Sequence, residues 1–181
     1  LHYGVSAVLL VFWGLICVLW PVRYRSVLLL MGMALVLRGV MLFQEPLLSD
    51  DIFRALWEGK LVVSGGNPYF SAPAAFEIMD GVRERVNHAD VPSVYPPMAQ
   101  WLWALCASLY YHPLSVQLVT AVIELTGVWA LADLCRERCK DLSPAWILAL
   151  HPLAVVEGAG SGHIDAVAVT LLMWAFWCEH R

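Results

Sequence analysis

Charge is what this sequence has least of. Only 14% of its 181 residues are Asp, Glu, Lys or Arg, whereas a soluble domain carries about 25%. An ordinary water-soluble surface is therefore excluded. The few charges sum to −4 and form no basic stripe, which argues against a nucleic-acid partner. Cysteine is sparse and odd in number, at five. Cys17, Cys106 and Cys178 lie in apolar runs and read as small core residues. Cys135 and Cys139 flank three charged residues with no histidine nearby, which is a weak metal pattern. Signal-peptide features, internal repeats and low-complexity tracts are missing.

What is abundant is apolar sequence: 60% of the chain is hydrophobic and its mean hydropathy is +0.67. Four runs, residues 3–20, 26–43, 114–134 and 164–178, are roughly 15–21 residues long, near the length that spans a bilayer. A fifth, 145–158, is short and contains His151-Pro152, where the proline predicts a kink. A sixth, 98–111, follows Pro96-Pro97 and carries Trp101, Trp103, Tyr110 and Tyr111. The reading is an all-α polytopic membrane protein with about five transmembrane helices.

Basic residues orient it. Arg23 and Arg25 lie between the first two spans, Arg136, Arg138 and Lys140 follow the third, and Arg181 follows the last. Placing all three clusters in the cytoplasm makes residues 44–97 a long outer loop and 159–165 a second one. Residues 98–111 then have no crossing to make. They read as an interfacial or re-entrant helix, at a depth that suits their aromatics. Leu1 is not Met, and Glu179-His180-Arg181 directly follows an apolar run. The chain thus reads as the front portion of a larger polytopic protein, with residues 1–181 a single, incomplete domain.

Asp50-Asp51 stands at the mouth of a span, where charge is costly unless it serves a purpose. Residues 51–64 read as a helix capped by Ser49 or Asp50, with Asp50–Arg54 and Arg54–Glu58 as i,i+4 pairs. Ile52, Phe53, Leu56 and Val63 would lie on the bilayer. Gly65-Gly66 end the helix and Asn67-Pro68 turn the chain. Both acids fall in the first turn, where the helix dipole favours negative charge, the form a general base requires. Capping alone needs only one of them. Residues 76–84 suggest a second short helix, and 87–92 a polar loop in which His88 is equally a substrate contact or a surface histidine. Pro97 fits a first helical turn. Within the spans, Arg38 lies eight residues before Pro46, and Glu124 ten after Leu114. Their similar depth predicts an Arg38–Glu124 pair. Asp133 falls near the inner surface. Glu157 is either a helix-end residue or part of the outer site.

Four blocks carry a resemblance. They are Ser49-Asp50-Asp51-Ile52-Phe53-Arg54-Ala55-Leu56-Trp57-Glu58-Gly59, Gly65-Gly66-Asn67-Pro68-Tyr69, Asn87-His88 leading to Tyr95-Pro96-Pro97-Met98-Ala99-Gln100, and His151-Pro152-Leu153 leading to Glu157 and Gly160-Ser161-Gly162-His163-Ile164-Asp165-Ala166. In this order and spacing the chain resembles the GT-C superfamily of polytopic glycosyltransferases, in particular the bacterial mannosyltransferase-like branch that uses polyprenyl-phosphate sugars. The family often has Asn at the positions of His151 and Ile164, departures that bear on specificity. The resemblance implies a GT-C-like fold whose outer loop carries juxtamembrane helices, in the bacterial inner membrane with its active site on the extracytoplasmic side. It also implies inverting transfer of a hexose, mannose by likeness, from a polyprenyl-phosphate sugar to a hydroxyl of a lipid or glycan acceptor. Asp51 would be the general base, assisted by Asp50. Substrate contacts would come from Arg54, Glu58, Asn67, Tyr69, His88, Tyr95, His163 and Asp165, and a divalent cation, if used, would sit at Asp50 or Asp165. Arg54, Lys60, Arg83 and Arg85 are candidates to meet the donor phosphate. Two other readings fit the same composition: an ion-coupled transporter or lipid flippase, whose acids would more often lie mid-membrane, and a non-catalytic GT-C fragment.

Overall fold

The computed structural model describes residues 26–46, 49–76, 80–138 and 141–181. The span expected over 3–20, with Arg23 and Arg25, lies outside them, as do Cys139 and Lys140. The described residues are helical, without strands. In chain order the helices are α1 (Val27–Met41), α2 (Asp51–Val63), α3 (Pro97–Leu109), α4 (Pro113–Arg138), α5 (Ser143–Leu150), a π-helical segment (Ala154–Gly160) and α6 (Ile164–Glu179).

Local sequence explains the boundaries. The Leu29 amide donates to Ser26 Oγ at 3.2 Å, starting α1. Pro97 opens α3 at a position whose N–H would have no helical acceptor. Gly65 takes φ +81°, and the Gly66 amide reaches back to Leu61 O at 2.9 Å, closing α2. α5 stops at His151 because Pro152 supplies no amide hydrogen. The expected span over 145–158 is thus a short helix, a break and a π-helical turn. That turn meets α6 at a bend of 111°.

Among the described residues α4 alone is long and apolar enough to cross a membrane, at 26 residues. Its length is about 39 Å, more than a hydrocarbon core of about 30 Å requires. Counting the bent pair as one span makes two. The other expected runs that fall within the described residues are shorter as helices. α1 nonetheless exposes Leu28, Leu35, Val36 and Val40, and α6 exposes Val169, Leu171, Leu172 and Phe176.

α1, α4 and α5 share a core of small and branched residues, with Ala34, Ala132, Ala145 and Ala149 fully covered. Small side chains let apolar helices approach closely. Inside it Arg38 Nε meets Glu124 Oε2 at 3.2 Å, both groups buried, as the depth argument predicts. Arg38 Nη1 also donates to Ala149 O at 2.9 Å, satisfying a carbonyl exposed by the break after α5. Glu124 fits there because residue 158 is glycine: a Cβ would stand 2.2 Å from Glu124 Oε1.

Two expectations for the long loop are corrected. α2 does not lie on the bilayer through Ile52, Phe53 and Leu56. Those three are buried with Trp57, Val86, Cys106 and Val116, and every residue from Ile52 to Gly59 is covered. Gly59 permits this, since a Cβ there would come 2.2 Å from Trp103 O of α3. Nor do residues 76–84 form one helix. Two 3₁₀ turns, Pro73–Ala75 and Arg83–Arg85, flank residues 77–79, which are not described. Asp80 Oδ1 accepts from the Val82 and Arg83 amides, a local alternative to helix.

Polar contacts close the bundle at both ends. At one end Asp133 binds Arg136, Arg181 and Trp177, and Arg138 donates to His180 O at 2.8 Å. At the other, Gln117 Nε2 ties Gln44 O to Gly160 O, at 3.1 and 2.7 Å.

Candidate active site

The second end brings the two predicted loops together. Gly162, at φ +68°, packs so closely against Ile52 and Val116 that a Cβ would approach their side chains at 3.2 and 2.8 Å. Ile164 packs against the Ala55, Ala99 and Trp103 cluster beside Tyr95. The start of α2 therefore meets the start of α6 across more than a hundred residues of sequence.

Asp50 and Asp51 part company here. Asp50 is exposed and its carboxylate makes no capping bond. Ser49 Oγ accepts the Asp51 amide instead, at 3.2 Å. The expected Asp50–Arg54 pair does not form, because the Arg54 guanidinium turns inward. It binds Glu58 Oε1 at 3.1 Å, Val91 O at 3.1 Å and Asn87 O at 2.8 Å, and also reaches His88 O. Asp51 is half-buried, and its Oδ1 accepts from Asn87 Nδ2 at 2.8 Å. Oδ2 has no hydrogen-bond partner among the described residues.

Glu58 is fully buried. Its second oxygen accepts from Ser93 Oγ at 2.8 Å and Gln100 Nε2 at 2.6 Å. Arg54 and Glu58 thus fasten α2, the 87–93 loop and α3 to one another. Asn67 and Tyr69 also serve the loop: Asn67 Oδ1 accepts the Tyr69 amide at 2.9 Å, and the Tyr69 hydroxyl donates to Tyr95 O at 2.7 Å. His88 is exposed, at the one non-glycine positive φ among the described residues, +46°.

Tyr95 registers both loops. Burial pushes its hydroxyl pKa upward, and the charges of Asp51, Glu58 and Asp165 push the same way against Arg54. Its ring stands edge-on to Trp103, centroids 4.7 Å apart. Next to Asp165 opens a cavity of about 730 Å³, bounded by α1, α4, α5, the π-helical turn and α6. Its walls are mostly apolar, with Val128, Ile147, Leu148, Val169 and Met173 among them. Its polar lining comes from His151, Glu157, His163 and Asp165 and from the buried Arg38–Glu124 pair. His163 Nε2 lies 3.3 Å from Glu157 Oε2, close enough for an ion pair with a protonated imidazole but without hydrogen-bond alignment. Asp51 does not line this cavity.

The four cations proposed to meet a phosphate are engaged elsewhere. Arg54 is consumed by carbonyls and Glu58. Lys60 binds Asp80 at 2.8 Å and sits over the Tyr111 ring. Buried Arg83 donates to Pro73 O, and Arg85 covers Phe53 beside Glu45. Burial raises the Asp80 pKa, but the hydrogen bonds from Lys60 and the two amides outweigh it and hold the carboxyl below its ordinary value. The described residues include no cluster of three or more His, Cys, Asp or Glu around a common point. Asp50 and Asp165 do not complete a metal site among them.

Reading the sequence alone missed Asn87, Ser93 and Gln100 as parts of this centre. Asn87 lay inside a recognised block, but its partner is 36 residues away.

The family model for "Alpha-(1->6)-mannopyranosyltransferase, N-terminal domain", the MptA_B family, matches residues 1–181. The chain belongs to this family. It is accordingly a glycosyltransferase chain of mannosyltransferase type, and the carrier and flippase readings lose their ground. No curated protein and no solved structure matches it.

Proposed function

We propose that the chain transfers mannose from a polyprenyl-phosphate mannose to a primary hydroxyl of a mannose-containing glycan, with inversion, on the extracytoplasmic side of the membrane. The observation that carries the reading is the meeting of the start of α2, with half-buried Asp51, and the start of α6, with exposed Asp165, near Tyr95 and beside a mostly apolar cavity.

The chemistry follows from the placement. The acceptor oxygen attacks the anomeric carbon, and the bond from that carbon to the phosphate oxygen breaks. The polyprenyl phosphate leaves with the electron pair, and Asp51 Oδ2 takes the hydroxyl proton. An α product from an inverting step requires a β-linked donor. A phosphate is already a fair leaving group, so the chain mainly supplies a base, positioning and charge complementarity. The apolar cavity suits an isoprenoid chain, with its phosphate near His163 and His151. Mannose is the sugar because the family is named for it. The extracytoplasmic side is supported by the opposite, basic end of the bundle, where Arg136, Arg138 and Arg181 gather, since basic ends favour the cytoplasm.

The test uses membranes expressing the full open reading frame that encodes the chain. They receive labelled β-polyprenyl-phosphate mannose or a labelled nucleoside-diphosphate mannose, and the product is digested with α-mannosidase. Label entering an α-mannosidase-sensitive product from the lipid donor alone is the expected result. Direct use of the nucleotide donor, or a product resistant to α-mannosidase, would overturn the reading.

A further inference from the structure

The turn at Asn87–Val91 carries two local costs side by side. His88 adopts φ +46°, uncommon for any residue with a side chain. Asn87 Oδ1 is buried with no hydrogen-bond partner among the described residues, a rare condition for a buried polar atom. A turn with no task would shed either cost by rotating Asn87 or by a residue change at 88. Instead Arg54 holds it in place through the carbonyls of Asn87, His88 and Val91, and Glu58 holds Arg54.

The cost at Asn87 follows from its partner. A carboxylate only accepts, so the amide must present Nδ2 to Asp51, and Oδ1 is left facing the interior. Rotating the amide to satisfy Oδ1 would set oxygen against oxygen at Asp51. Strain and unsatisfied groups that survive together mark a functional constraint. The direction of the constraint is visible here: the one side chain of the turn that reaches the acid is Asn87, whose Nδ2 binds Asp51 Oδ1 and leaves Oδ2 for the acceptor.

We infer that Asn87 is a positioning residue for Asp51, clamped by Arg54 through a strained turn, and that it sets which carboxylate oxygen receives the acceptor proton. This rests on Asp51 being the base. Asn87 does not touch substrate. It acts by orienting a charged group through one hydrogen bond, so its loss should appear in kcat rather than in donor KM.

The experiment compares initial rates of mannosyl transfer in the full open reading frame for wild type, Asp51→Asn, Asn87→Ala and Asn87→Asp, at equal amounts of folded protein. A hydrogen bond to a charged group predicts a fall in kcat of about 10- to 100-fold for Asn87→Ala, with donor KM changed less than about threefold. Asn87→Asp keeps shape and volume but faces Asp51 with a second carboxylate, so it falls further than Asn87→Ala. A packing role predicts the reverse order, because the isostere then preserves what matters. A second series avoids Asn87 altogether. His88→Gly, His88→Ala and His88→Val should lose kcat in that increasing order, following tolerance for the left-handed backbone. Equal losses across the series would assign His88 a side-chain role and overturn the strained-turn argument. If Asp51→Asn loses transfer while Asn87→Asp matches wild type, the inference fails and the base assignment stands. If Asp51→Asn transfers as well as wild type, both fail.

Discussion

Two adjacent aspartates that look equivalent in sequence occupy different environments. Asp50 is exposed and makes no capping bond, while Asp51 is half-buried and fixed by Asn87. Replacing each by Asn should separate them. Asp50→Asn should lower transfer by less than about tenfold, and Asp51→Asn by about 10²–10⁴, the range of a positioned proton acceptor. Rates from matched membrane preparations check this order, and equal losses would contradict it. The i,i+4 link from Arg54 to Glu58 was legible because it is local. The carbonyls that Arg54 holds at Asn87, His88 and Val91 were not, because loop folding brings them from 33 to 37 residues away. A sequence places an arginine near a site, but only the fold shows whether its donors are still available.

At the scale of elements, close approach decides what each helix can tolerate. Gly59→Ala would press a methyl group onto Trp103 O, a backbone atom that cannot step aside. Overpacking of this kind costs about 1–3 kcal/mol. Thermal unfolding in detergent should register the loss, whereas Gly39→Ala, where nothing lies within 4 Å of a Cβ, should not. The Arg38–Glu124 pair gives a second prediction. Arg38→Met leaves a buried acid without its partner, at about 3–5 kcal/mol. Adding Glu124→Met should recover much of that stability, because two apolar side chains need no pairing. A double variant less stable than Arg38→Met would contradict the account. Much of this level was readable from sequence: the helix start at Pro97, the stop at Gly65-Gly66, the break at Pro152, and the ion pair from matched depth. The burial of α2 was not. Its apolar residues have the spacing of a helix lying on a bilayer, and nothing local says that α3 and α4 cover them instead.

Over the whole molecule, one end gathers Arg136, Arg138 and Arg181, and the other gathers the acids and histidines of two distant loops. The apolar cavity extends from Asp165 to Met173 along α6, about 12 Å at 1.5 Å per residue. If it holds the donor's lipid, filling it with Ala166→Trp should raise KM more for a long-chain polyprenyl donor than for a short-chain one. Equal changes for the two donors would remove the lipid from the cavity. The central claim is that Asp51 takes the acceptor proton. Its most direct test is mannosyl transfer from labelled polyprenyl-phosphate mannose by membranes carrying the full open reading frame, wild type against Asp51→Asn, with expression and thermal stability matched. The account predicts transfer by wild type and a loss of at least about a hundredfold in the variant. Equal transfer by the two would contradict it.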